Sequence, residues 1–158
     1  TAPIERGDEL WLYYGGANLH HNWWLVGSRE GLDLPEVHRP TEFSSGMGLA
    51  ILRKDGFVSL NATVREGIVV TRPVRLSGWP LFFNARCQAG GYLDVEIVDA
   101  DDNVIPGFLR SNFQRFSGDS TRSLIQWQGA PTIPLDRPVK LRFFMLHCDV
   151  YSICTAFP

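Results

Sequence analysis

The sequence predicts an all-β protein: an antiparallel two-sheet β-sandwich of jelly-roll type. Three observations lead there. Apolar and polar residues alternate in short runs, the period-2 pattern of half-buried strands. Glycine (15) and proline (10) are spread along the chain and punctuate it into many short segments. No window of about 12 residues carries a helical period.

The elements follow in order. In Glu9 to Tyr14, Leu10, Leu12 and Tyr14 alternate with Trp11 and Tyr13, and Gly15-Gly16 closes the strand. Met47 to Arg53 repeats the pattern through Leu49, Ile51 and Arg53. Lys54-Asp55-Gly56 then reads as a hairpin turn into Phe57, Val58 and Leu60. Val64 to Val70 reads as strand, turn at Glu66-Gly67, strand. Leu76 to Ala85 is broken at Gly78 and Pro80 and continues through Leu81, Phe82 and Phe83. In Tyr92 to Val98, Leu93, Val95 and Ile97 take one face, while Asp94 and Glu96 are expected on a solvated one. Residues 99–103 form a polar loop, and Val104 resumes the strand. Ser123 to Trp127 alternates again, as does Lys140 to Leu146, with Leu141, Phe143 and Met145 together. The last strand, Val150 to Phe157, sets Tyr151, Ile153 and Phe157 on one side. Gly27 to Ser45 holds Pro35 and Pro40, shows little pattern, and reads as a long loop insertion at 27–45.

At 158 residues the expectation is one domain, 1–158, large enough to bury about 70% of its unfolded surface without staples. The net charge is −2 and no run exceeds two adjacent Lys or Arg, so no nucleic-acid partner is expected. No apolar run approaches the roughly 20 residues of a membrane helix, and no basic segment leads into an apolar one, so neither membrane nor signal peptide is read. Cys87, Cys148 and Cys154 match no metal spacing, and three buried thiols are expected.

Glycosidase chemistry needs two carboxylates facing each other about 5 to 9.5 Å apart. The acids here fall in turns (Asp55, Asp101, Asp102, Asp119, Asp136) or on strand faces expected to be solvated, so no catalytic residue is assigned. Asp99, Asp101 and Asn103 offer oxygens that could hold a structural calcium, but the loop lacks the Gly and Glu of an EF-hand. Turn chemistry is the reading kept there, and no cofactor is expected. His20, His21, His38 and His147 form no zinc array, and no serine sits in a nucleophile elbow. Asn61-Ala62-Thr63 fits a glycosylation sequon, a triplet common by chance. Aromatics are the remaining signal. An exposed Trp is a flat platform for the C–H face of a sugar, and Trp23, Trp24, Trp79 and Trp127 all sit at turns or strand ends. Asp119 and Arg122 would add hydrogen bonds to hydroxyls.

ELWLYYGG (Glu9 to Gly16) followed by GLAILRKDGFVSLNA (Gly48 to Ala62) resembles the end of five-bladed β-propeller glycoside hydrolases of the furanosidase-like superfamily, where such strands pair. The stretches Leu93 to Phe108, Gly118 to Gly129 and Arg137 to Ile153 resemble the β-sandwich appended there. His147-Cys148-Asp149 departs from that pattern. The resemblance implies that 1–53 is a remnant of a terminal propeller blade. It also implies that the catalytic carboxylates lie upstream of this chain, and that the protein is secreted or periplasmic. The expected function is a non-catalytic ancillary module that binds a polysaccharide or oligosaccharide. The alternative is a structural domain bracing the upstream propeller in cis, which requires an exposed apolar patch around Trp11, Tyr13 and Leu49.

Overall fold

The computed structural model describes residues 2–18, 44–76, 80–129 and 137–155. Among them, regular structure consists of strands and one short 3-10 turn, Arg110–Asn112, and every strand pairing is antiparallel. The expected all-β, antiparallel class holds. The chain expected as one domain is arranged as two compact units, Thr1–Lys54 and Asp55–Pro158.

The first unit is a sheet of β1 (Ile4–Arg6), β2 (Glu9–Ala17) and β3 (Ser45–Arg53) in that order. Gly7 at φ 62° turns β1 into β2. Ile4 lies opposite Trp11 and Trp11 opposite Ile51, while Tyr13 faces Leu49 and Gly15 faces Met47. Alternation therefore gathers Ile4, Trp11, Tyr13, Met47, Leu49 and Ile51 on one face.

The second unit contains β4 (Leu60–Ala62), β5 (Gly67–Val70), β6 (Leu81–Val98), β7 (Asp119–Leu124) and β8 (Lys140–Thr155). The sheet order is β4-β8-β6-β7, with β5 also paired to β8. Lys54-Asp55-Gly56 does turn, with Asp55 at φ 55°, but it makes no hairpin, because β4 pairs with β8 instead of β3. A turn sets the chain direction over three residues, whereas the partner was decided by burial of Ala62 in the second unit's core. Of Val64 to Val70, only Gly67–Val70 is strand.

The runs at Leu81 and Tyr92 are one strand, as are those at Lys140 and Val150. Leu81 through Cys87 pairs with Thr155 through Cys148, and Tyr92 through Val98 with Leu146 through Lys140. Residues 88–91 stand opposite His147 alone, which breaks the ladder and lets both strands bend. His147 takes φ 43° and Gly90 φ 77°. Gly91 is required for space, since a Cβ there would come 2.5 Å from the His147 carbonyl oxygen. The extra residue also shifts the parity of β8. Leu141, Phe143 and Met145 face the core before it, and Cys148 and Val150 after it; a second register shift at Asn84/Ala85 then puts Ile153, and not Tyr151, opposite the buried Phe83, where it is 37% exposed. The buried β8 residues pack with Phe83, Leu93, Val95 and Ile97, and are capped by Ile105, Phe108, Phe113, Ile125 and Trp127 from the segment before and after β7. That segment runs along the other edge of β6 through Ile105 N–H to Ile97 O (2.9 Å), Ile97 N–H to Phe108 O (3.1 Å) and reciprocal bonds between Leu93 and Phe116.

Candidate functional site

Of the expected sugar-stacking residues, Trp23, Trp24 and Trp79 lie outside the described residues, as does most of the 27–45 insertion. Trp127 is no platform. It is 7% exposed, its indole N–H donates to the Val95 carbonyl (2.9 Å), and Phe108 and Phe113 meet its ring edge-on at 5.2 and 5.6 Å. An alternating run beside a turn cannot tell a rim Trp from one capping a core; the isolated bridge between Phe113 and Trp127 turns it inward. Asp119 and Arg122 lie exposed on β7. Asp119 stands 3.8 Å from Arg86, and the Arg122 guanidinium covers the Phe82 ring at 4.4 Å.

Asp94 and Glu96, expected in solvent, are buried. The edge segment brings Arg110 and Arg115 over their face. Arg115 donates to Asp94 through Nε (2.9 Å) and Nη2 (2.6 Å), and Arg110 adds Nε to Asp94 (2.9 Å). Arg110 also forks onto Glu66, and Tyr92 donates its hydroxyl to the same carboxylate. The guanidiniums lie on aromatic faces, Arg110 at 4.1 Å from the Phe144 centroid and Arg115 at 4.2 Å from Tyr92. The hydrogen bonds from Arg110, and then from Tyr92, hold the Glu66 carboxyl below its ordinary pKa, while the hydrogen bond to Glu66, and then burial, push the Tyr92 phenol up. Two cations face two carboxylates, so this network is charge-balanced and closes the sheet face. Glu96 pairs with its cross-strand partner Arg142 at 2.7 Å. Among the described residues, no buried side-chain nitrogen or oxygen lacks a partner.

In the 99–103 loop, Asp99 accepts the backbone N–H groups of Asp101 and Asn103, each at 2.9 Å, which lowers its pKa. Asp102 pairs with Lys140 at 2.7 Å. Of the three residues considered for calcium, Asp99 organises the turn. Among the described residues, no group of three His, Cys, Asp or Glu side chains gathers as a metal would require.

Beside the Arg115–Tyr92 stack, at the bend of β6, lies an open concavity of about 520 Å³ lined by Cys87, Gln88, Gly90, Tyr92, Arg115 and Ser117. Cys87 forms its inner wall and touches Cys148. The three thiols are not alike: Cys148 is buried, Cys87 half-buried, and Cys154, against expectation, exposed. In the first unit the apolar face is open. Met47 is 82% exposed, Ile4 55% and Ile51 54%, with Tyr13 and Leu49 also exposed and only Trp11 partly covered by Arg6. Comparison of the chain with protein-family models, curated proteins and solved structures returns no match.

Proposed function

We propose that the chain is a non-catalytic bracing module whose β1-β2-β3 sheet docks onto a neighbouring β-domain of the same polypeptide, the upstream propeller that the ELWLYYGG and GLAILRKDGFVSLNA motifs imply. The observation that carries this reading is the open apolar face of Ile4, Trp11, Tyr13, Met47, Leu49 and Ile51. A monomer rarely leaves so contiguous an apolar surface in water. The pairing of the two motif segments as β2 and β3 supports the blade origin of this sheet. Amide hydrogen exchange tests it, with this chain compared with the product of its gene carrying the upstream domain. Protection across β1-β2-β3 rises in the longer protein if the sheet docks; equal exchange in both, or a gene product with no propeller, refutes the proposal.

A second reading, an ancillary glycan-binding module of a secreted protein, draws support from the concavity at the β6 bend. There Gln88, Tyr92, Arg115 and Ser117 place hydrogen-bonding groups around an open hollow. Gln88→Ala and Ser117→Ala should abolish retardation on polysaccharide affinity gels. Silence of the parent protein across plant, algal and bacterial polysaccharides removes this reading.

A further inference from the structure

We propose that Cys87 and Cys148 are a disulfide-forming pair that staples β6 to β8 where their ladder is broken. The two residues are direct cross-strand partners, and the Cys87 thiol lies 3.1 Å from the Cys148 sulfur. Their backbone geometry suits the bond. The Cys87 N–H donates away from β8, to Gly118 O at 2.6 Å, so the pair occupies a non-hydrogen-bonded site of the antiparallel ladder. At such sites the Cα atoms stand about 4.5 Å apart, inside the roughly 4.4–6.8 Å window of disulfides. Closing the sulfurs to about 2.05 Å needs a shift of about 1 Å, within the reach of side-chain rotation. The third thiol cannot compete. Cys154 lies six positions further along β8, about 20 Å from Cys148 by strand rise.

The location gives the bond a purpose. Beyond Cys87 the ladder lapses over residues 88–91 and resumes only at Tyr92 and Leu146. A covalent link at Cys87–Cys148 closes that gap from one side and fixes the inner wall of the concavity. The reaction begins at Cys87, the half-buried sulfur that lines the concavity and is open to an incoming oxidant. Burial keeps Cys148 protonated, with its pKa raised above the ordinary thiol value, so it enters second.

The oxidant is a low-molecular-weight disulfide such as glutathione disulfide. The Cys87 thiolate attacks one of its sulfurs, the glutathione S–S bond breaks, and one glutathione leaves and takes up a proton. Cys148 then loses its proton to water and attacks the Cys87 sulfur of the mixed disulfide, expelling the second glutathione as thiol. Two protein thiols are oxidised to one disulfide, and one glutathione disulfide is reduced to two glutathiones.

The 158-residue chain equilibrated in glutathione buffers, from fully reduced to oxidising, tests the pair. Thiols are counted after acid quench and unfolding, and the linked peptides are mapped. The expected result is a fall from three free thiols to one, a Cys87–Cys148 peptide, and a Tm higher by about 10 °C in the oxidised form. Cys154→Ser should leave both effects intact, whereas Cys148→Ala and Cys87→Ser should each remove them. Should Cys148→Ala fail to fold, Cys87→Ser at the half-buried position gives the same readout. Three free thiols at every ratio, a bond involving Cys154, links only between molecules, or a Cys87–Cys148 bond that lowers Tm would each overturn the proposal.

Discussion

Replacing Asp94 by Asn separates the buried network from the many ion pairs that contribute little. Asp94 is 2% exposed in its side chain and accepts three hydrogen bonds from two guanidiniums, at 2.6, 2.9 and 2.9 Å. Breaking a buried pair by neutralising one partner costs about 3–5 kcal/mol when the other charge stays dry. Here the orphaned cations are not fully dry. The Arg110 side chain is 29% exposed and Arg115 57%, and Arg110 keeps Glu66. Rehydration should bring the loss down to about 2–3 kcal/mol. With a urea m-value of about 1.5 kcal/mol per molar for a domain this size, the midpoint should fall by about 1.3–2 M at unchanged slope. Asp119→Asn is the matched control. Its 3.8 Å contact with Arg86 is exposed on both sides, so the midpoint should move by less than about 0.3 M. Urea titration followed by circular dichroism reads both variants. A loss below about 0.5 kcal/mol for Asp94→Asn, or a gain, would refute the view that this carboxylate anchors the edge segment to the sheet.

Trp127→Ala should destabilise the protein by about 3–5 kcal/mol in the same titration, because it opens a cavity between Phe108 and Phe113 and strips the Val95 carbonyl of its indole donor. Gly91→Ala, whose Cβ would strike backbone carbonyls at 2.5 and 2.7 Å, should cost at least about 2 kcal/mol. Gly90→Ala, with open space and φ 77°, should cost only about 1–2 kcal/mol, and the order of the two Tm values checks the pair. Glu66 is held below its ordinary pKa of 4.5, so its contribution is present above that pH and is lost as pH falls through the lower folded-state value. Glu66→Gln should therefore lower stability at neutral pH and flatten its decline below about pH 4.5, as measured by Tm across acidic buffers.

Local alternation found most of the strands, but it missed Ile4–Arg6 and read Ser123 to Trp127 where β7 is Asp119–Leu124. Leu93, Val95 and Ile97 against polar neighbours, and Leu141, Phe143 and Met145, specified which side faces the core, because burial on one face of a strand writes a period of two into the chain. The same code misplaced Asp94 and Glu96. Alternation reports that a residue is polar and points away from the core, but it does not report whether two arginines from residues 110 and 115 will cover it. Trp127 failed for the mirror reason, since its partner Phe113 lies 14 positions away across an isolated bridge.

By itself the sequence determined the all-β class and the polarity of most strand faces, since each depends on residues within one strand's reach. Only the tertiary structure decided that Lys54-Asp55-Gly56 separates two units instead of closing a hairpin, that Asp94 is a buried anchor, and that Cys87 meets Cys148. The first rests on β4 pairing with β8, the second on Arg110 and Arg115 laid over Asp94, and the third on the register between β6 and β8, and each is set by contacts between segments far apart in the chain.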